Sequence, residues 1–524
     1  MLRTIFLFLL SFTLLNAQKD SVAIKYANTI LAKDLSKHLH ILASDDYKGR
    51  ETGKEGQKKA ATYLAMQFRN LGIMEYQGAY FQSFPLVEIG TGEVALTQNN
   101  QTFEFKKDFY CLPVFDNQSV VNELVYVGFG IEEEGVYNDY KDVDVKGKWL
   151  IIFDGEPVKK GKYLISGTER KSKWSQRYEK IVTAKKNEAA GVLFVVNDLE
   201  REVNNKYFQH KLSSKEMMLK EDFEKQSPIG SFYVSAGMIN QILFSKKEDS
   251  SLDKLISKSR KKGKPASKTF QLNHPLQVNV KRKIDELVSE NVLAFIEGSD
   301  LKDEVVVLTA HYDHIGVKDG EVYNGADDDG SGTVALIELA EAFMKAKAEG
   351  HGPRRSILIM PVSGEEKGLL GSQYYTDHPV IPLENTVANL NIDMIGRLDN
   401  RHPDNPNYVY LIGADKLSTT LHDISEEANK TYTNIELDYT YNDPNDPNRY
   451  YYRSDHYNFA KHQIPVIFYF NGTHEDYHKA TDTVEKIDFN KVEKITQLVF
   501  YTAWELCNRD ERIEVNVENN FKNK

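Results

Sequence analysis

The stretch from Val305 to Gly332 constrains the fold most, because it joins a buried strand to a cluster of charged side chains. Apolar or β-branched residues at 305–309 run into His311 and Asp313, and a polar loop then leads to three consecutive aspartates before Gly-Ser-Gly. Adjacent carboxylates repel one another unless a cation neutralises them. The stretch therefore predicts a metal site at the end of a strand.

Other predicted strands also end in acidic or imidazole side chains. Strands and helices alternate through this part of the chain, which favours an α/β sandwich with a mostly parallel central sheet. In such sheets the site lies at the carboxyl ends of the strands. The strand ends concerned are 356–362 before Glu365 and Glu366, 387–392 before Asp393, and 465–470 before a loop that reaches His478.

These side chains suit zinc, which binds His nitrogen and carboxylate oxygen and keeps a position open for water in catalytic sites. Two zinc ions that share a carboxylate need about five protein ligands. The residues that fit are His311, Asp328, Glu366, Asp393 and His478. Asp313 lies two residues after His311, where its carboxylate is expected to accept the second imidazole N–H. Glu365 is then left as the acid/base.

The motifs together resemble metallopeptidase family 28, the co-catalytic zinc aminopeptidases and their relatives. They occur in the family's order, and jointly they are specific although each alone is weak. The matching segments are AHYDH at 310–314, GADDDGSG at 325–332, SGEEKGLLGS at 363–372, NIDMIGR at 391–397, RSDH at 453–456 and YHKATDT at 477–483.

The resemblance implies a role for each matching residue. His311 and Asp393 would bind one zinc ion, Glu366 and His478 would bind the other, and Asp328 would bridge the two, with a cis 328–329 peptide. Glu365 takes the general-base position. Tyr477 matches a tyrosine that stabilises the oxyanion in some relatives, and Arg453 matches an arginine that holds substrate in some members.

The implied activity is that of an exopeptidase, an aminopeptidase that acts on peptides through a water bridging two metals. Within the family, a dipeptidase or carboxypeptidase-type hydrolase stays open, whereas a complete two-metal ligand set disfavours a glutaminyl cyclase. A non-catalytic, receptor-like binding protein is the alternative from another class. Manganese or cobalt could replace zinc. The net charge of −11 argues against nucleic acid or an anionic membrane as the main partner, and the oligomeric state is not indicated.

The chain also predicts export and an insertion. Arg3, an apolar run and a small-residue cleavage site are typical of a signal peptide, which implies a periplasmic or secreted protein. No later segment is long enough to span a membrane. LVYVGFGI, VKGKWLIIFDG and AAGVLFVVND resemble a protease-associated domain. The predicted parts are the signal peptide 1–17, an N-terminal peptidase part 18–113, an inserted β-rich domain 114–275 and a catalytic part 276–515.

Two further features have alternative interpretations. His474 to His478 matches the H-E-x-x-H motif of mononuclear zinc proteases, which requires a helix. Here the motif follows a strand and Asn-Gly-Thr, so we predict that His474 is not a primary ligand. Cys111 and Cys507 could form a disulfide or remain as two buried thiols.

Overall fold

The structure is a computed structural model that describes residues 19–159, 161–245, 254, 257 and 265–518. The predicted signal peptide lies outside these residues. The chain divides into two compact units. We call residues up to Leu86 and from Leu287 onward the main unit, and Val87–Glu286 the inserted unit.

The predicted insertion, 114–275, was too short at both ends. Two long strands, Phe81–Gln98 and Ser267–Val292, belong to the nine-stranded sheet that contains most strands of the inserted unit. Buried and exposed residues alternate in parts of both strands, as at Leu276 and Val278, so neither strand has the continuous apolar run that marked other strands.

The main unit is an α/β structure with a mostly parallel seven-stranded sheet, as predicted. In sheet order, its strands are Ala294–Ile296, Arg355–Val362, Leu301–His311, Thr386–Ile392, Val466–Phe470, Tyr408–Ile412 and Glu436–Asp438. Ala294–Ile296 pairs antiparallel with Arg355–Val362, and Tyr408–Ile412 pairs antiparallel with Val466–Phe470. The other pairings are parallel, including that of Tyr408–Ile412 with Glu436–Asp438. The helices are Ser21–Ala27, Ala32–Leu42, Glu55–Asn70, Gly332–Ala348, Leu370–Asp377, Thr419–Ala428, His456–Lys461 and Phe489–Asn508.

Hydrophobic cores lie on both faces of this sheet. Successive side chains of a strand point to opposite faces. Accordingly, Val306 and Leu308 belong to one core, whereas Val305 and Val307 belong to another. A strand that is buried on both faces explains why its sequence is a continuous apolar run rather than an alternating one.

The inserted unit has its own mixed sheet and its own cores. Strands Trp149–Phe153, Gly191–Val195 and Gly230–Val234 pair in parallel at its centre. The same sheet contains Gln101–Thr102, Phe109–Tyr110, Asn117–Val127 and Glu216–Leu219. Two separate two-stranded sheets pair Glu132–Glu133 with Tyr137–Asn138 and Val158–Lys159 with Lys162–Tyr163. The helices described there are Arg177–Lys186, Leu199–Val203, Lys206–Ser213, Lys220–Lys225 and Ala236–Phe244. Its identity as a protease-associated domain stays a prediction.

Cys111 and Cys507 are free and buried. They lie in different hydrophobic cores, one in each unit, as two buried thiols rather than a disulfide. Among the described residues, no helix combines the length and the apolar character needed to cross a membrane.

Candidate metal centre

Four adjacent parallel strands deliver the charged residues of the site to one edge of the main sheet. The strand Leu301–His311 ends at His311, and its neighbour Thr386–Ile392 is followed by Asp393. On the other side of the first strand, Arg355–Val362 leads through a tight turn to the Glu365–Lys367 helical turn. The loop after Val466–Phe470 carries His478.

Asp328 lies between two histidines. Its Oδ1 is 3.2 Å from His311 Nε2, and its Oδ2 is 3.1 Å from His478 Nε2. His311 Nε2 is also 3.7 Å from Asp393 Oδ1, and His478 Nε2 is 3.3 Å from Glu366 Oε2. The structure thus brings together all five of the predicted ligands.

The three consecutive aspartates have different partners, and the peptide bond between Asp328 and Asp329 is cis. Asp329 lies near His311 and Asp393, but its carboxylate accepts the backbone N–H groups of His311, Gly332 and Met394 at 2.9–3.2 Å. Asp327 accepts the N–H of Gly396 at 2.6 Å. The carboxylates of Asp327 and Asp329 therefore fix the surrounding loops through backbone hydrogen bonds, whereas that of Asp328 faces His311 and His478.

The expected contact between the Asp313 carboxylate and His311 was wrong. His311 Nδ1 is 3.0 Å from the backbone carbonyl oxygen of Asp313 and 3.8 Å from its carboxylate. The chain turns immediately after the strand and brings the main-chain oxygen closer. The carboxylate instead accepts the Thr52 hydroxyl at 2.6 Å and the backbone N–H of Glu365 at 3.3 Å. Asp313 therefore connects the His311 strand to the Glu365 turn.

Glu365, Tyr477 and Arg453 line one cavity. Three of the predicted ligands, His311, Asp328 and Asp393, line the same cavity. Glu365 Oε2 is 3.9 Å from His311 Nε2. Burial raises the pKa of Glu365 well above its ordinary value in the absence of metal. Arg453 donates to the Tyr477 hydroxyl at 3.3 Å, and the Tyr477 ring stacks on His478 with centroids 3.9 Å apart.

His314 and Asp482 are close to the site but were not predicted. His314 is fully buried, and its Nδ1 is 2.9 Å from Glu366 Oε1 and 3.8 Å from Asp328 Oδ2. Asp482 accepts the backbone N–H groups of Asp327 and Asp328 at 3.1–3.2 Å. Both residues fall within the quoted motifs, AHYDH and YHKATDT, but the motifs alone did not indicate where these side chains point.

The H-E-x-x-H segment adopts turns rather than a helix. His474 Nε2 is 3.3 Å from Asp327 Oδ2, whereas His478 contacts Asp328 and Glu366. The two histidines of the motif therefore face different carboxylates, and their spacing has no helical significance here.

The donor atoms and their surroundings fit divalent cations. Asp328 Oδ2, Glu366 Oε1 and both ring nitrogens of His314 are buried without a hydrogen-bond partner. Although burial lowers the pKa of His478, the neighbouring carboxylates of Asp328 and Glu366 raise it to about 10. Positive charge is therefore favoured between these groups, as expected at a metal site rich in carboxylates.

Parts of this chain are similar in sequence to known peptidases. Residues 291–503 match the model of "Peptidase family M28". A "Probable zinc metalloprotease" of Pyrenophora tritici-repentis is 41% identical over 114 residues, which are 20% of this chain and 22% of that protein. A "Probable leucine aminopeptidase" of Arthroderma otae is 30% identical over 224 residues, 41% of this chain and 57% of that protein. The chain therefore spans between about a fifth and somewhat over half of these curated relatives.

A solved structure shares the fold over nearly the whole chain. The aminopeptidase from Aneurinibacillus sp. strain AM-1 aligns with a TM-score of 0.54 and 18% sequence identity. The alignment covers 95% of this chain and 99% of that one. At this identity the likeness concerns the fold alone.

Proposed function

We propose that this chain, whose residues 291–503 match the model of peptidase family M28, is a di-zinc aminopeptidase that removes N-terminal residues from peptides. The observation that carries the proposal is the cluster at the sheet edge. There Asp328 lies between His311 and His478, and Glu365 lies beside them.

In this proposal, His311 and Asp393 would hold one ion, Glu366 and His478 would hold the other, and Asp328 would serve both. The two oxygens of Asp328 support this shared role, because each lies near a different histidine. Zinc at these residues would supply Lewis-acid activation of the scissile carbonyl and of the attacking water.

Glu365 is the proposed general base. Its carboxylate takes a proton from the attacking water and delivers it to the leaving amine. Asp313 positions the start of the Glu365 turn through its hydrogen bond to the Glu365 N–H. The Tyr477 hydroxyl donates to the substrate oxygen as negative charge develops there, and Arg453 orients that hydroxyl.

The cavity that is lined by His311, Asp328 and Asp393 also has an aromatic part. The rings of Tyr450, Phe468 and Phe470 form it. Apolar walls with a few placed polar groups are typical of small-ligand sites. We propose that the side chain of the N-terminal residue packs against these rings, while the carboxylates of the centre attract the α-ammonium group.

A dipeptidase is the second candidate, and Arg453 favours it. This arginine lines the same cavity, and its guanidinium group is suited to the carboxylate of a short substrate. In that case a free C-terminus as well as a free N-terminus would be required.

A substrate panel separates these functions. Initial rates are measured for leucyl-p-nitroanilide, its N-acetyl derivative, the dipeptide Leu-Leu and its C-terminal amide. An aminopeptidase hydrolyses the free amine at least about 100-fold faster than the blocked one and tolerates the amide. A dipeptidase loses a comparable factor on amidation. If the zinc-loaded protein hydrolyses none of them, the enzyme proposal is wrong and a binding protein is favoured.

We also propose that the protein is exported to the periplasm or the cell exterior and that the inserted unit is a protease-associated domain. The sequence of residues 1–17 supports export, and the three motifs of the insertion support its assignment. N-terminal sequencing of the protein recovered outside the cytoplasm tests export, and the expected mature N-terminus follows Ala17.

A further inference from the structure

A second cluster of imidazole and carboxylate groups lies outside the candidate metal centre. His402 Nε2 is 3.4 Å from Asp438 Oδ2 and 3.6 Å from Glu436 Oε1. The three donor atoms all lie within 4.8 Å of one another. None of these residues belongs to the centre described above, and the proposed peptidase reaction does not use them.

The edge of the main sheet places the two carboxylates side by side. Glu436 and Asp438 are two residues apart on the edge strand, so their side chains share one face. They pair in register with Tyr408 and Tyr410 of the adjacent strand. The His402 ring stacks on the Tyr408 ring, with centroids 3.7 Å apart. The stacking holds the imidazole over the same face.

Nδ1 of His402 has a fixed set of polar partners. Nδ1 is 3.3 Å from Asp399 Oδ1 and 3.2 Å from the Tyr410 hydroxyl. Asp399 is itself held by the Tyr410 hydroxyl at 2.7 Å and by the backbone N–H groups of Arg401 and His402 at 3.1 Å. An imidazole that donates Nδ1–H to a fixed carboxylate presents the lone pair of Nε2 on its other side, as metal-binding histidines do.

This lone pair faces negative charge. His402 is 9% exposed, and Nε2 points at two carboxylates without a hydrogen bond to either. Within the described residues, neither Glu436 nor Asp438 pairs with a lysine or an arginine. Glu436 accepts a hydrogen bond from Asn405 through its other oxygen, Oε2, at 2.9 Å. One imidazole nitrogen and two carboxylate oxygens are therefore available to a cation, and these are donor types that zinc accepts.

We propose that His402, Glu436 and Asp438 form a third divalent-metal site, for zinc or a similar first-row transition ion, with Asp399 orienting the histidine. Ligand atoms of a tetrahedral zinc site lie roughly 3.4 Å apart, close to the distances observed here. The open side of the site leaves room for water as a further ligand. A bound ion would fasten the loop after Asp393 to the edge strand, so its role is structural.

Metal counting tests the proposal on the full chain. The protein is loaded with zinc, desalted and analysed by mass spectrometry for zinc per chain. We expect His402→Ala and Asp438→Asn each to bind one ion fewer than the wild type. The control is His462→Ala, which removes a partly exposed histidine elsewhere in the same unit. Equal zinc content in the wild type and in both variants would overturn the proposal.

A further measurement keeps the test decisive if His402→Ala folds poorly. Asp438→Asn preserves side-chain size, and its zinc affinity is measured by competition with a chromogenic chelator. One ion should bind at least about tenfold more weakly, while the affinities of the others stay unchanged. Unchanged affinity of every ion would refute the third site. Failure of the peptidase proposal would appear separately, in the substrate panel, because no ligand is shared.

Discussion

Both units of the molecule carry parallel strands that end in charged residues, but the charges are balanced differently. In the inserted unit, the strand Trp149–Phe153 leads to Asp154, which accepts Arg177 Nε at 2.7 Å. Arg177 also pairs with Glu202 at 2.6 Å. Lys180 donates to two carbonyl oxygens at the same strand end. The inserted unit thus supplies its own cations.

At the strand ends that carry the candidate metal centre, the described part of the main unit supplies no lysine or arginine to balance the carboxylates. Within the described residues, no lysine or arginine pairs with Asp328, Glu366 or Asp393, whose charged partners are histidines. The same strand-end geometry therefore gives a closed ionic cluster where a helix contributes arginine and lysine, and the candidate metal centre where it does not. Substitutions in either unit test this difference.

Removal of the bridging carboxylate should have the largest effect. Asp328→Ala takes away the group between the two proposed ions, so we expect loss of bound zinc, loss of hydrolysis and reduced thermal stability together. Metal analysis and differential scanning calorimetry measure this. Asp303→Ala, an exposed position in the strand that ends at His311, is the control. Full zinc occupancy in Asp328→Ala would argue against the bridge.

Glu365→Gln should separate chemistry from metal binding. The amide keeps the shape of the side chain but cannot take a proton, so kcat should fall by about 10²–10⁴-fold while zinc content stays unchanged. Glu366→Gln is the matched comparison and should lose zinc as well. Turnover retained in Glu365→Gln would eliminate it as the base.

Arg177→Met should damage the inserted unit alone. Without the guanidinium group, Asp154 and Glu202 face each other unpaired. We expect the free energy of unfolding to fall by about 2–3 kcal/mol. This is less than the cost of breaking a fully buried ion pair, because these side chains are partly exposed. Trp149 and Trp174 lie in this unit, so urea unfolding is followed by fluorescence in a Trp504→Phe background.

The metal content of Arg177→Met should not change. Arg69→Met, which removes a largely exposed arginine, is the control for side-chain loss. If Arg177→Met loses zinc, the strand ends of the two units do not behave independently, and the proposed difference between them is wrong.

His314→Ala should weaken metal binding by about 10–100-fold for one ion, because the ring lies against Glu366 and Asp328. Chelator competition measures the affinity, and His274→Ala, an exposed histidine of the inserted unit, is the control. Affinities equal to those of the wild type would leave His314 as a packing residue only.

The smallest expected effect concerns Lys180. Burial lowers the pKa of Lys180 to about 8 in the folded protein. Between pH 8 and the higher pKa of the unfolded chain, the unfolded state binds more protons, so stability rises with pH, by about 1 kcal/mol from pH 8 to 9. Urea unfolding in the Trp504→Phe background measures this gain. It should disappear in Lys180→Met, and a gain of equal size there would contradict the assignment.

The sequence predicts most of the main unit because its signals are local. Continuous apolar runs identify strands buried on both faces, and the polar residues that follow them identify the sheet edge. The position of Asp328 within its motif follows from the resemblance. What the sequence does not predict is side-chain direction where regular structure ends, as at His314 and at the carboxylate of Asp313.

Contacts between residues far apart in the sequence account for other features that were not predicted. Asp482 reaches the aspartate loop from about 150 residues away, and His402 meets Asp438 only because an edge strand returns beside Tyr408. No periodicity connects such pairs. The boundaries of the insertion were misplaced for a different reason, since its first and last strands have an alternating pattern that resembles exposed chain.

The unequal exposure of the two proposed ligand histidines has a kinetic consequence. The His478 side chain is 40% exposed, whereas that of His311 is 1% exposed. An ion held by His478 and Glu366 can leave or enter after one side chain swings into solvent, whereas an ion held by His311 and Asp393 can leave only if a strand end opens. The two positions should therefore differ in residence time, with a fast-exchanging ion outside and a slow-exchanging ion inside.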